Sequence, residues 1–338
     1  MTNNRIEYVD IAKGLCMILV VWQHVHTYYE TLETGEFYLE SFRMPLFFLI
    51  SGMFFKTYDS FGIFMRRKFD TIIVPFLFFY LLFSVIVPNV LHMCGYAELR
   101  QSSKLGWYSI FNCIFEKTYS NSPVWFLLAL FWLNLMFYGI NYISRIISLS
   151  YSSYIMLVIC SVLGIVGFML GVNNIFIWAN IDNALTVLPY FYLGFIVNKH
   201  TQLIKNPPKN LYLFIFIIFS IVCIYILSPG IGYKQNRFPI HSFIPLYLCG
   251  IVGTFMMLSI SKIINKSRML SFYGENTLAI LCLQMPVIQV VNIFVRRFHL
   301  GGAEFLLTFI ITLIAFPPVI WIINKYFPIV VGKKTLSL

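Results

Sequence analysis

Apolar residues fill this chain in long runs spread from one end to the other. A helix needs about 20 predominantly apolar residues to cross the hydrocarbon core of a bilayer. On that ruler ten segments qualify, near 8–29, 42–57, 71–92, 123–143, 153–172, 182–198, 211–229, 242–263, 277–295 and 304–327. The second and sixth are short and read as tilted, half-inserted or partly interfacial. Between them stand Asn206-Pro207-Pro208-Lys209-Asn210, Pro229-Gly230-Ile231-Gly232 and Gly301-Gly302, whose backbone cannot sit unsatisfied in lipid and therefore marks loops. The pattern predicts an all-α, polytopic membrane protein with about ten spans and a single transmembrane domain over residues 1–338. No loop is long enough for a soluble domain, the longest being 93–122, so chemistry belongs at helix ends or inside the bundle. No internal repeat or low-complexity tract interrupts this plan.

Composition agrees: 59% of residues are hydrophobic and only 11% charged, against about 25% charged in a typical soluble domain. Mean hydropathy is +0.80. The net charge of +11, from 24 Lys and Arg against 13 Asp and Glu, would suit nucleic acid if it lined one face, but here the basic residues punctuate apolar segments. With the N-terminus inside, fifteen basic residues fall on internal segments and seven on external ones. That bias sets both termini on the cytoplasmic side of a cell membrane. The loop carrying Glu30, Glu33, Glu36 and Glu40 without Lys or Arg fits the external side. The first apolar run lacks a small-residue cleavage site and reads as a retained helix.

Seven cysteines are scattered without a CxxC or a His/Cys cluster at zinc-ligand spacing, so no metal site is expected. Cys94 and Cys113 share the long external loop, where they either pair in an oxidising compartment or remain two thiols. The common nucleotide-binding and hydrolase signatures are missing.

Chemistry concentrates in the first span, where Asp10, Lys13 and His24 interrupt apolar sequence. A charged Lys or Asp at the centre of a membrane helix costs about 2.5–3.5 kcal/mol on insertion scales, so such groups face a cavity or a partner. Lys13 follows Asp10 by three residues and can pair with it. Lys13 and His24 are eleven residues apart, about three turns, and share a face with roughly 16 Å of rise between them. His26 lies well round the helix. Either Lys13 snorkels to the inner interface and His24 bonds a neighbouring helix, or the imidazole serves proton transfer.

The second segment opens with Arg43 at the external edge, which either anchors to headgroups or stabilises developing negative charge beside His24. Its Ser51-Gly52 pair reads as a packing notch before a nucleophile. Arg66, Arg67 and Lys68 form an internal basic group, either a topology anchor or a contact for phosphates. Trp125, with Trp107 and Tyr108, suits either an interfacial aromatic belt or stacking on sugar rings.

In order and spacing the chain resembles the membrane acyltransferases of acyltransferase family 3, and within them the fucose O-acetylase-like sugar acetyltransferases. The resemblance rests on Asp10-Ile11-Ala12-Lys13-Gly14 with His24, Met44-Pro45-Leu46-Phe47-Phe48 with Ser51-Gly52, and Arg66-Arg67-Lys68 before Pro75. It continues through Pro123-Val124-Trp125-Phe126-Leu127, Leu188-Pro189-Tyr190-Phe191-Tyr192-Leu193-Gly194 and Tyr273-Gly274-Glu275-Asn276-Thr277-Leu278. It implies ten helices and transfer of an acyl group, usually acetyl from cytoplasmic acetyl-CoA, to a sugar hydroxyl of an extracytoplasmic or lipid-linked glycan. It carries the family histidine onto His24, its basic partner onto Lys13, and the internal basic motif onto Arg66, Arg67 and Lys68. Three departures follow. Thr71 stands where a second arginine is common, and Arg43 and Gln284 stand where relatives often have histidine. Arginine does not act as a base and glutamine does not titrate, so those positions bind or the chemistry is altered.

The expected activity is therefore membrane O-acyl transfer, with His24 and Lys13 catalytic and Arg66, Arg67 and Lys68 holding an acyl-CoA donor. Asp10, Arg43, Ser51, Trp125 and Gln284 are expected to bind the acceptor or line the site. No permanent cofactor and no nucleic acid are implied; the partners are donor, glycan and lipid. The rival is a glycan exporter or flippase without acyl transfer, which an intramembrane Asp/Lys/His stripe also suits.

Overall fold

The computed structural model describes residues 6–27, 29, 33–58, 60–93, 108–117, 121–199, 210–227 and 236–333. Among these the chain is helical, with no extended strand element. The helices are α1 (Glu7–His26), α2 (Glu33–Met53), α3 (Phe61–Lys68), α4 (Val74–Leu81), α5 (Val87–Met93), α6 (Tyr108–Phe115), α7 (Trp125–Ile147) and α8 (Ser152–Val172). They continue as α9 (Ile181–Lys199), α10 (Asn210–Leu227), α11 (Phe243–Ile264), α12 (Arg268–Glu275), α13 (Thr277–Arg296) and α14 (Ala303–Tyr326). Eight described helical stretches are long and apolar enough to cross a membrane. α2 and α9, at 21 and 19 residues, have spanning length but are more polar, and they correspond to the second and sixth expected spans. The chain is a multi-pass membrane protein.

Two boundaries differ from the sequence reading. The second helix begins at Glu33, not near 42, so Glu36, Glu40 and Arg43 are helical and not loop or edge residues. The third span begins at Phe61, capped by the Ser60 hydroxyl, which accepts from the Ile63 N–H at 3.3 Å. Arg66, Arg67 and Lys68 therefore ride on its first turns. The same span holds two π-turns, Phe69–Ile73 and Leu82–Ile86, each just before a proline, Pro75 and Pro88. Proline lacks an N–H and its ring clashes with the carbonyl four residues back, and one extra residue per turn relieves that clash without breaking the helix.

The chain divides into two compact units, each assembled from separate stretches: Met1–Lys56, Ile140–Asn174 and Leu185–Thr277 in the first, Thr57–Gly139, Ile175–Ala184 and Leu278–Leu338 in the second. In the first unit α1 packs along α12, α2 and α11. The α1–α12 crossing is built on two glycines: a Cβ at Gly14 would overlap the carbonyl oxygen of Leu270, and one at Gly274 that of Asp10. Gly52 on α2 and Gly194 on α9 meet the Phe191 and Leu49 carbonyls in the same reciprocal way. Close backbone approach of this kind is how helices associate where lipid supplies no hydrophobic drive. In the second unit the 3₁₀ turn Pro328–Val331 packs on α4 and on the π-turn at 69–73.

Candidate active site

In the first unit, α1 carries the ionisable residues at both ends of one face. The Lys13 ammonium lies 2.6 Å from the Asp10 carboxylate, the i,i+3 pair expected from spacing, and both side chains are largely shielded. His24 sits in the last turn of the helix and is half-buried. His26 occupies a different face of the same turn.

α2 is bound to α1 by polar contacts along the edge of α1 formed by residues 16, 19 and 23. The Cys16 thiol donates to the Arg43 carbonyl at 3.3 Å, the Arg43 guanidinium donates to the Leu19 carbonyl at 3.0 Å, and the Gln23 amide donates to the Glu40 carboxylate. Arg43 Nη2 also lies 3.8 Å from Glu40. With 1% of its surface exposed, Arg43 is not a headgroup anchor; it is a buried cation holding two helices in register beside the turn that bears His24. Glu40 is the residue that sequence reasoning missed. The sequence pattern places it in an acidic loop, and its i,i+3 spacing from Arg43 is the signal that points to a helix. Ser51 donates its hydroxyl to the Phe47 carbonyl at 2.7 Å, a local helix bond, and Gly52 beside it forms the close contact with α9.

In the second unit, Arg66 and Arg67 are exposed and Lys68 is half-buried. The Arg67 guanidinium lies 5.0 Å over the Tyr58 ring and the Lys68 ammonium 5.7 Å over the Phe64 ring, cation–π contacts that hold the cations at the helix surface. Trp125 is 5% exposed and sits edge-on to Phe126, so its ring is not offered for stacking. Gln284 is fully buried; its amide makes a long 3.4 Å contact to the Leu281 carbonyl, and its Oε1 has no hydrogen-bond partner among the described residues. Trp107, Cys94 and the Tyr108 side chain lie outside the described residues, and Cys113 is a buried free thiol, which burial pushes up to about 12.

A second buried ion pair was also invisible in the sequence. Lys117 contacts Asp182 and donates to Asn183 at 2.9 Å, with its ammonium 5.1 Å from the Phe176 ring. Burial lowers the proton affinity of Lys117, and Asp182 opposes that shift. Ala179 and Asn180, just before α9, both have positive φ, 52° and 61°, a left-handed conformation that costs energy at residues with a Cβ. Among the described residues no group of three His, Cys, Asp or Glu side chains is placed to hold a metal.

These arrangements can do acid–base chemistry at the His24 end of α1 and contact anions at the exposed arginines of α3. The model of the family described as acyltransferase domain, acyltransferase family 3, matches residues 6–325. No curated protein and no solved structure matches the chain significantly.

Proposed function

This chain belongs to acyltransferase family 3, and from that premise we propose that it is a membrane O-acyltransferase moving an acetyl group from cytoplasmic acetyl-CoA to a sugar hydroxyl outside the cell membrane. The observation that carries the reading is the single face of α1, with the Asp10–Lys13 pair at one end and the half-buried His24 at the other. A buried ionisable set of this kind is expensive in a membrane and marks function. His24 takes the proton of the acceptor hydroxyl as its oxygen attacks the thioester carbonyl; the C–S bond breaks, the CoA sulfur leaves as thiolate, and the proton held by His24 is returned, through water, to neutralise that thiolate. An acyl-histidine formed first and then attacked by the sugar is the other route through the same residue. Lys13 holds positive charge on the cytoplasmic half of that face. The exposed guanidiniums of Arg66 and Arg67 suit the donor phosphates, with Lys68 beside them.

Purified protein in lipid nanodiscs should cleave labelled acetyl-CoA slowly and pass label to a glycan extract. Neutralising Arg66, Arg67 and Lys68 together should weaken CoA binding more than the chemical step. Absence of both cleavage and CoA binding would favour the exporter reading. Glycan mass analysis of cells lacking the protein would then identify the acceptor.

A further inference from the structure

The span that opens at Phe61 carries a buried acid beside its basic residues. Asp70, in the π-turn Phe69–Ile73, is 4% exposed, and its Oδ2 has no hydrogen-bond partner among the described residues. A carboxyl group taken out of water without a partner is expensive, and an adjacent cation is the usual remedy. Two arginines stand at the right spacing for it, Arg66 four residues before and Arg67 three. Neither reaches that oxygen: both are exposed, and the Arg67 guanidinium lies over the Tyr58 ring instead. Lys68 lies over the Phe64 ring, and the Thr71 hydroxyl donates to the Arg67 carbonyl at 2.7 Å.

The surroundings hold this group in place. The turn Pro328–Val331 packs on residues 69–73, and an added Cβ at Gly332, whose φ is +67°, would lie 3.1 Å from the Thr71 carbonyl oxygen. The end of the chain thus closes one side of the π-turn. Turns of this type add one residue to a helical turn and recur at functional sites. Among the described residues Asp70 belongs to no group of three side chains placed to hold a metal, and a lone carboxyl group does not make a cation site. The partner that suits Oδ2 is therefore an O–H or N–H donor.

Position along the helix narrows the donor further. At about 100° per residue, Asp70 falls between Arg66 and Arg67 as seen down the axis, and it lies roughly 4.5–6 Å deeper in the span at 1.5 Å per residue. On the acyl-transfer reading the phosphates of acyl-CoA meet the arginines, and its thioester points inward from them. A carboxylate repels phosphate, so the group at Asp70 belongs to the uncharged pantetheine arm. The first polar group of that arm is a secondary hydroxyl, separated from the nearest phosphate by one ester oxygen and two carbons. The ribose hydroxyls and the adenine amine lie on the other side of the phosphates and stay outside.

We propose that Asp70 accepts a hydrogen bond from the pantoyl hydroxyl of the acyl-CoA donor and so fixes how far the donor enters the protein. The proposal rests on the acyl-transfer reading and deepens it. Phosphates stop at Arg66 and Arg67 because the carboxylate beyond them repels a second anion, and the hydroxyl one turn deeper supplies the partner that Oδ2 lacks. Asp70 takes part in no covalent step; it is a positioning residue that distinguishes the arm from the phosphates.

The test uses the full chain in lipid nanodiscs and compares binding of CoA with that of a CoA analogue whose pantoyl hydroxyl is replaced by hydrogen. The parent protein should bind CoA about 10- to 100-fold more tightly than the analogue, the factor for a hydrogen bond to a charged group. Asp70→Leu should bind CoA more weakly by a similar factor and should no longer distinguish the two ligands. Asp70→Asn has nearly the same shape and keeps an acceptor oxygen, so it should retain a reduced preference; it decides the matter if the Leu variant does not fold. Arg66→Gln should weaken both ligands equally, because both carry the phosphates. Equal binding of the two ligands by the parent would assign Oδ2 to a bound water and overturn the proposal, as would an undiminished preference in folded Asp70→Leu or Asp70→Asn. CoA bound without preference removes the role of Asp70 alone, whereas a parent protein that binds no CoA removes the acyl-transfer reading and the proposal with it.

Discussion

The side-chain amide of Asn121 donates to the main-chain carbonyl of Cys282 at 2.9 Å, and that carbonyl is the one whose intrahelical partner is missing because Pro286 stands four residues on. In lipid an unpaired carbonyl costs several kcal/mol, and neighbouring side chains re-satisfy what proline frees. Asn121 is therefore a splint for the kink-prone α13, the helix that also carries Gln284.

Asn121→Ala should cost about 1–3 kcal/mol of stability by leaving that carbonyl buried and unpaired. On a Pro286→Ala background, where the helix regains its own N–H, the same substitution should cost distinctly less. A double-mutant cycle on unfolding in detergent reads the coupling; strictly additive costs would show that the bond does not answer the proline.

The glycine crossing of α1 and α12 carries the next prediction. Gly274→Ala places a methyl group against the Asp10 carbonyl, so the two helices must part where Asp10 and Lys13 pair. A loss of at least about 1–3 kcal/mol is expected, as for other overpacked sites. Gly139→Ala is the control, because its added Cβ meets nothing within 4 Å and removes a helical glycine, which should be neutral or gain up to about 1 kcal/mol. Comparison of melting temperatures decides; equal effects at the two positions would refute the crossing.

Long apolar runs made most spans legible, because a membrane helix must satisfy its own backbone and needs a fixed length of apolar sequence. The start of α2 was not legible, since Glu33, Glu36, Glu40 and Arg43 look like a loop until Gln23 is known to donate to Glu40 and the Leu19 carbonyl to accept from Arg43. Nor was the start of α3, where Arg66, Arg67 and Lys68 resemble a loop anchor although Ser60 caps the helix before them. The Asp10–Lys13 pair was readable from its spacing. The Lys117–Asp182 pair was not, because 65 residues separate its members and no local rule joins them. Pro286 announces a missing hydrogen bond, but only the folded chain reveals Asn121 as the donor.

Lys117→Met should be costly, about 3–5 kcal/mol, because it leaves the fully buried Asp182 carboxylate without its cation. Replacing both partners, Lys117→Met with Asp182→Leu, should recover part of that loss, since the uncompensated charge disappears. Chemical unfolding of the two variants measures the difference. If the double variant is less stable than the single one, the pair is doing more than neutralising itself.

The last prediction concerns His24, the imidazole that shares a face with Lys13 while His26 points elsewhere round the same turn. His24→Ala removes a half-buried polar group from a spanning helix, so insertion and packing should survive; transfer should fall by at least the roughly 10²–10⁴-fold typical of a lost general acid–base. His26→Ala should cost little. Lys13→Arg keeps the cation beside Asp10 and should retain part of the activity, whereas Lys13→Ala removes the cation that lies 2.6 Å from a buried carboxylate and should lower both stability and transfer. The contacts of Arg43 with Leu19 and Glu40 add a further expectation: Arg43→Lys should lose the geometry that keeps α2 against α1 and lower transfer without removing a base. Labelled acetyl transfer, normalised to folded protein, ranks the five variants. Near-parent activity in well-folded His24→Ala would move the proton to another group and end the mechanism proposed for this face of α1.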